Sequence, residues 1–151
     1  MSGHDGFDEL IVDLPNDLSA IEAAVEDIVR RCRNCDCHQG QLSLNLRVSL
    51  SEALANAMQY GNEGRDDKRV RVEVTIAPET ITARVIDQGR GFDPKSVPDP
   101  TQPENLLRSS GRGLFLMRQL MDEVHYNERG NCVTLVLRLS HRTDFGEAAT
   151  A

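Results

Sequence analysis

Val70, Val72, Val74 and Ile76 alternate with Arg71, Glu73 and Thr75, and after the short turn APET the alternation returns in Ile81, Ala83 and Val85. A strand turns successive side chains to opposite faces, so this period of two builds a hairpin with one apolar face and one wet face. A two-stranded hairpin is marginal in water by itself, and its apolar face has to be covered by other parts of the chain.

The cover is helical. Asn16 or Asp17 can cap a helix that runs to about Arg33, with Leu18, Ile21, Val25, Ile28 and Val29 spaced along one face. A second helix is predicted from about Ser43 to Tyr60, with Leu46, Leu50, Leu54, Ala57 and Met58 as its buried stripe and Gly61 as its stop. A third is predicted in LFLMRQLMDEV. FDELIVDLP reads as a short strand or extended arm, His125 and Tyr126 begin another strand, and CVTLVLRL ends the sheet with Val133, Leu135, Leu137 and Leu139 on one face. At 151 residues and 39% hydrophobic content the chain can bury one core, so residues 1–151 form a single domain, with 141–151 expected as a disordered tail. The fold class that follows is α+β: a two-layer sandwich, its sheet mixed but mainly antiparallel, with helices on one face. Nothing supports a parallel βαβ unit.

The formal charge of −7 argues against a nucleic-acid partner, which calls for clustered Lys and Arg. MSGHDGFDEL has neither a basic nor an apolar signal region, and no apolar run approaches the ~18 residues that span a bilayer. A cytoplasmic protein away from membranes is expected, and its cysteines are expected reduced. Cys32, Cys35 and Cys37, with His38 beside them, have the composition of a metal site, but zinc ligands usually come as two separated pairs. Thiols in a loop between helices are the preferred reading, with metal as the alternative.

Three short stretches carry candidate chemistry. DQGRGFD, from Asp87 to Asp93, falls where the hairpin ends. It suits an ordinary turn; it equally suits a base pocket, in which a carboxylate accepts a hydrogen bond from an exocyclic amine and Gly89 and Gly91 admit a flat ring. In SSGRGLFLM, Gly111 and Gly113 precede a helix. They provide either a flexible entry or backbone N–H groups for phosphate, and the P-loop pattern is absent. In SEALANAMQYGN, Glu52 and Asn56 lie four residues apart and so project from one helix face, either as a solvated pair or as a site. An amide oxygen there can ligate Mg²⁺, and a carboxylate one turn earlier can deprotonate a hydroxyl.

In this order, and with a long Gly- and Pro-rich loop between the second and third, these motifs resemble the GHKL ATPase superfamily of the Bergerat fold. The phrases SEALANA and GRGLFLMRQLMDEV are similar to its anti-sigma regulatory factor branch, the serine-protein kinases that bind sigma factors. The resemblance covers about residues 8–140. It implies ATP and Mg²⁺ as cofactors, with Asn56 as the Mg²⁺ ligand and Glu52 as general base toward a serine or threonine hydroxyl. It further implies Asp87 on the adenine amine, Gly89 and Gly91 around the base, and residues 94–112 as an ATP lid. Gly111, Gly113 and the adjoining Leu114 would lie over the phosphates, and Arg108 or Arg112 near the γ-phosphate. The partners implied are a sigma factor, a STAS-domain antagonist as phosphorylation substrate, and a second copy in a homodimer; a nucleotide-controlled binding module without kinase activity is the alternative. Two departures stand out. Tyr60 and Gly61 replace the His-Gly of many relatives, with the tyrosine ring expected to pack over the site, and Asn131 or Cys132 stands where a base-binding threonine is common.

Overall fold

The computed structural model describes residues 8–33, 39–89 and 109–139, apart from the side chains of 33, 39, 41 and 109–112. Five strands form one sheet: β1 (Asp8–Pro15), β2 (Arg69–Ile76), β3 (Thr80–Ile86), β4 (Glu123–Tyr126) and β5 (Cys132–Arg138). Their spatial order is β1-β2-β3-β5-β4, and each pairing among the described residues is antiparallel, where a mixed sheet was expected.

The register aligns the apolar positions into rows. Val72 faces Val85, which faces Val133; Val74, Ala83 and Leu135 form the next row, and Ile76, Ile81 and Leu137 the third. All nine side chains are buried, each contributing on the order of 1–3 kcal/mol by leaving water. The other face is wet, as its alternation implies: Glu73 accepts hydrogen bonds from Arg71 at 2.9 Å and Arg84 at 3.3 Å. Such exposed pairs contribute at most about 1 kcal/mol, so the sheet is held by its apolar rows.

Helices α1 (Ile21–Arg33), α2 (Gln39–Asn56) and α3 (Ser109–Leu120) supply the second layer. The central one is α2, which packs against α1, α3, β3 and β5. The Arg47 guanidinium grips the Glu26 carboxylate through two bonds, 2.6 and 3.0 Å, linking α2 to α1. Asn45 Nδ2 donates to the Leu120 carbonyl at 3.0 Å, tying the last turn of α3 to α2.

Several boundaries differ from expectation. Asp17 does cap, accepting from the Ser19 N–H at 3.0 Å, but the turn it opens is a 3₁₀ turn, Leu18–Ala20. Leu18 is therefore thrown off the apolar face and stays about half exposed, while Val25, Ile28 and Val29 are buried. Helix α2 starts four residues earlier than expected and ends in a π turn, Ala57–Gly61, closed by Asn62 N–H donating to the Ala57 carbonyl at 2.7 Å. Helix α3 starts five residues earlier than expected and ends before Asp-Glu-Val: the Asp122 N–H already donates to the Val136 carbonyl in the sheet, and Val124 and Tyr126 stand opposite Leu135 and Val133. Cys32 is buried in the core near the end of α1 and not in a loop between helices. Cys35, Cys37, His38 and the tail 141–151 lie outside the described residues. Among those that are described, no helix is long and apolar enough to cross a membrane.

Candidate functional site

The site grows from the C-terminal half of α2. Glu52 and Asn56 stand one helical turn apart, both half-buried, and the start of α3 comes down on them at Gly113. A Cβ at Gly113 would stand 2.7 Å from Glu52 Oε1, 3.3 Å from Asn56 Nδ2 and 3.7 Å from Asn56 Oδ1. Only a residue without a side chain lets the backbone of α3 approach the two polar groups so closely.

The other end is made by the sheet. Asp87 leaves β3 with its N–H donating to the Asn131 carbonyl at 2.9 Å, and its Oδ1 accepts from the Gly89 N–H at 2.8 Å. The carboxylate is buried, and desolvation raises its pKa above the ordinary aspartate range; the Gly89 N–H and the positive charges of Arg129 and Lys68 oppose that shift and lose to it. Gly61, the last residue of the π turn, is pressed against it: a Cβ there would lie 2.2 Å from Asp87 Oδ2. A Cβ on Gly89 would lie 1.6 Å from the Gly61 carbonyl oxygen. Asn62 locks this corner from beneath. Its buried amide donates to Asn16 Oδ1 and the Arg69 carbonyl, both at 3.0 Å, and accepts from the Gln88 N–H at 2.8 Å.

Between the two ends runs a cleft lined by Ala53, Asn56, Ala57, Val85, Asp87, Tyr126, Cys132 and Val133. Its walls set small apolar groups beside the polar groups of Asn56, Asp87, Tyr126 and Cys132, around a narrow cavity of about 10 Å³. Burial pushes the Tyr126 phenol up to about 12, with a hydrogen bond from Asn56 working the other way.

The structure thus brings Glu52, Asn56 and Gly113 together at one end and Asp87 with Gly89 at the other. The Leu114 side chain is buried in the core and does not line the cleft. Gly111 lies in the first turn of α3, as do the remaining residues of the expected lid from 109 on. Gly91 and Arg108 lie outside the described residues, and so does the side chain of Arg112. Tyr60 is about half exposed and does not line the cleft; its neighbour Gly61 is the residue pressed against Asp87. Of the two candidates for the base-binding threonine position, Cys132 lines the cleft, while Asn131 contributes its carbonyl to Asp87. Sequence reasoning had Gly61 only as a helix stop and as half of the Tyr-Gly replacement, and missed Asn62 and Tyr126. The run Tyr-Gly-Asn at a helix end was a signal for Gly61 and Asn62; for Tyr126, one residue in a four-residue strand, there was none.

The sequence model of the histidine kinase-like ATPase domain matches residues 11–137. A serine-protein kinase RsbW from Listeria monocytogenes is 30% identical over 105 residues, covering 65% of this chain and 67% of its own. An anti-sigma F factor from Clostridium beijerinckii is 31% identical over 99 residues, covering 62% of this chain and 68% of its own. The solved structure of the RsbU and RsbW domains of Rv1364c from Mycobacterium tuberculosis superposes with a TM-score of 0.56 over 87% of this chain, at 16% identity. The present chain spans about a third of that larger one, 32%, and the likeness is one of fold. With the family model matched over most of its length, the chain belongs to the histidine kinase-like ATPase domain family.

Proposed function

We propose that the protein is an ATP-dependent switch: a serine/threonine-protein kinase that phosphorylates a STAS-domain antagonist and, in its other state, holds a sigma factor. The observation that carries this reading is the convergence of Glu52, Asn56 and Gly113 at one end of a cleft whose other end is a buried carboxylate, Asp87. The relatives named serine-protein kinase and anti-sigma factor support the kinase activity and the sigma-factor partner.

Asp87 accepts the adenine amine through the carboxylate oxygen that Gly89 does not engage, and Val85, Ala53 and Ala57 bound the ring. Gly113 lets the start of α3 lie close over the phosphates. The donor set suits Mg²⁺, since an asparagine amide oxygen is a hard neutral ligand and leaves the ion most of its waters and phosphate oxygens. Asn56 would hold it, and when bound it would supply neutralisation of charge on the phosphates. Glu52 takes the proton from the substrate hydroxyl as that oxygen bonds to the γ-phosphorus and the bond to ADP breaks. Homodimerisation and a cytoplasmic location belong to the same reading.

The test is the intact mass of candidate STAS-domain proteins after incubation with this protein and Mg-ATP. A gain of roughly 80 Da on one of them, lost with Glu52→Gln, is the expected result. No gain on any, with ATP bound normally, would overturn the kinase assignment and leave a nucleotide-controlled binding module.

A further inference from the structure

The turn between β4 and β5 folds back onto a single side-chain oxygen. Asn127 Oδ1 accepts from the N–H groups of Gly130 at 2.8 Å, Asn131 at 3.0 Å and Cys132 at 3.2 Å. Its Nδ2 donates to Asn131 Oδ1 at 2.7 Å, and its backbone N–H donates to the Cys132 carbonyl at 3.0 Å. Gly130, at φ +78°, supplies the left-handed step that aims three N–H groups at one point. Converging backbone N–H groups form a concavity that suits an acceptor, and here the chain fills it with its own amide, which uses both lone pairs of that oxygen.

Two of the residues so held reach the base end of the cleft. Cys132 lines it, and the Asn131 carbonyl accepts from the Asp87 N–H at 2.9 Å, directly beside the carboxylate. Asn127 itself is exposed and does not line the cleft. We propose that Asn127 is a positioning residue for base recognition: by holding the Gly130–Cys132 backbone it fixes the Asn131 carbonyl, and through it the place of Asp87 against the adenine amine. The inference rests on the base contact proposed above for Asp87 and deepens it, since selectivity for the amine is then set from outside the cleft by a side chain that the nucleotide does not touch.

The ratio of affinities for ATP and for purine riboside triphosphate, which lacks only the exocyclic amine, reports the Asp87 contact separately from overall stability. In the wild-type protein that ratio should be about 10-fold or more, the effect of a hydrogen bond to a charged group. Because Asn127 is exposed, Asn127→Ala opens no cavity, and in this variant the ratio should fall to about threefold or less. Asn127→Asp keeps an acceptor oxygen for the three N–H groups and should hold the ratio within about twofold of wild type. An Ala variant that keeps the wild-type ratio overturns the inference, whatever its melting temperature. So does an Asp variant that loses the ratio as fully as Ala. A wild-type protein that does not distinguish the two nucleotides would instead refute the base contact at Asp87, and the inference with it. One measurement needs no variant to fold: the Asn131 and Cys132 amide protons of the wild-type protein should exchange more slowly than those of an open turn, and exchange at the open-turn rate would overturn the hydrogen bonds themselves.

Discussion

Replacing Asp87 by Asn should separate binding from stability. The two carboxylate oxygens have different duties: Oδ1 accepts from the Gly89 N–H at 2.8 Å, and Oδ2 lies against Gly61. Asparagine can keep the first bond through its carbonyl, but it presents an NH₂ where the adenine amine needs an acceptor. Loss of a hydrogen bond to a charged group, about 1.5–3 kcal/mol, corresponds to roughly 10- to 150-fold in ATP affinity. Stability moves the other way. Burial is the largest influence on this carboxyl and raises its pKa in the folded protein. A raised acid contributes its full stability below the unfolded value, ~3.9, and loses it as pH rises through the folded value, so at pH 7 the wild-type protein carries a cost that the amide does not. Urea unfolding at several pH values, beside a fluorescent-nucleotide titration, reads both effects. The variant should be at least as stable as wild type at pH 7, with the difference vanishing below about pH 3.9. ATP affinity within twofold of wild type, or a variant less stable at pH 7, would refute the reasoning.

Gly61→Ala drives a Cβ to 2.2 Å from Asp87 Oδ2 and should cost about 1–3 kcal/mol with a matching loss of ATP affinity, whereas Gly40→Ala, on α2 with nothing within 4 Å, should be neutral or stabilising; paired thermal melts check both. Asn62→Ala removes three hydrogen bonds at a buried corner and should destabilise by about 2–4 kcal/mol, lowering Tm by roughly 5–15 °C in calorimetry. Ser49 Oγ is the one fully buried side-chain polar atom among the described residues that lacks a hydrogen-bond partner, so Ser49→Ala should raise stability by about 1 kcal/mol in urea unfolding.

The hairpin β2–β3 and strand β5 were legible because a period of two, written in Val, Ile and Leu, has few other solutions. The body of α2 was legible from its leucine stripe. Its first turns were not, since Gln39–Gln41 carry no apolar signal. The misplaced end of α3 has a plain cause: Met121, Asp122 and Glu123 continue a helical pattern acceptably, and only pairing with β5 decides against it. The same divide runs through the site. Glu52 and Asn56 announce themselves by helical spacing, and Asp87 and Gly89 by their place at a strand end. Tyr126 and Asn62 acquire their roles only when residues dozens of positions away arrive beside them, and nothing local encodes that.

The π turn at the end of α2 acts as a phase correction. An α-helix advances 100° per residue, so the wide turn Ala57–Gly61 lets Asn56 stay in step with α3 while Gly61 is redirected onto Asp87. Deleting one residue between Glu52 and Asn56, where the winding is regular, would turn Asn56 by about 100° relative to Glu52 and take it off the face that Gly113 covers. The loop between β2 and β3, at Pro78 and Glu79, is far more tolerant: an inserted residue there lengthens a hairpin turn and leaves the spacing from Glu52 to Gly61 untouched. Changes in chain length are thus tolerated at the edges of this protein, and its central helix behaves as a ruler on which a single miscounted residue is read as a wrong angle.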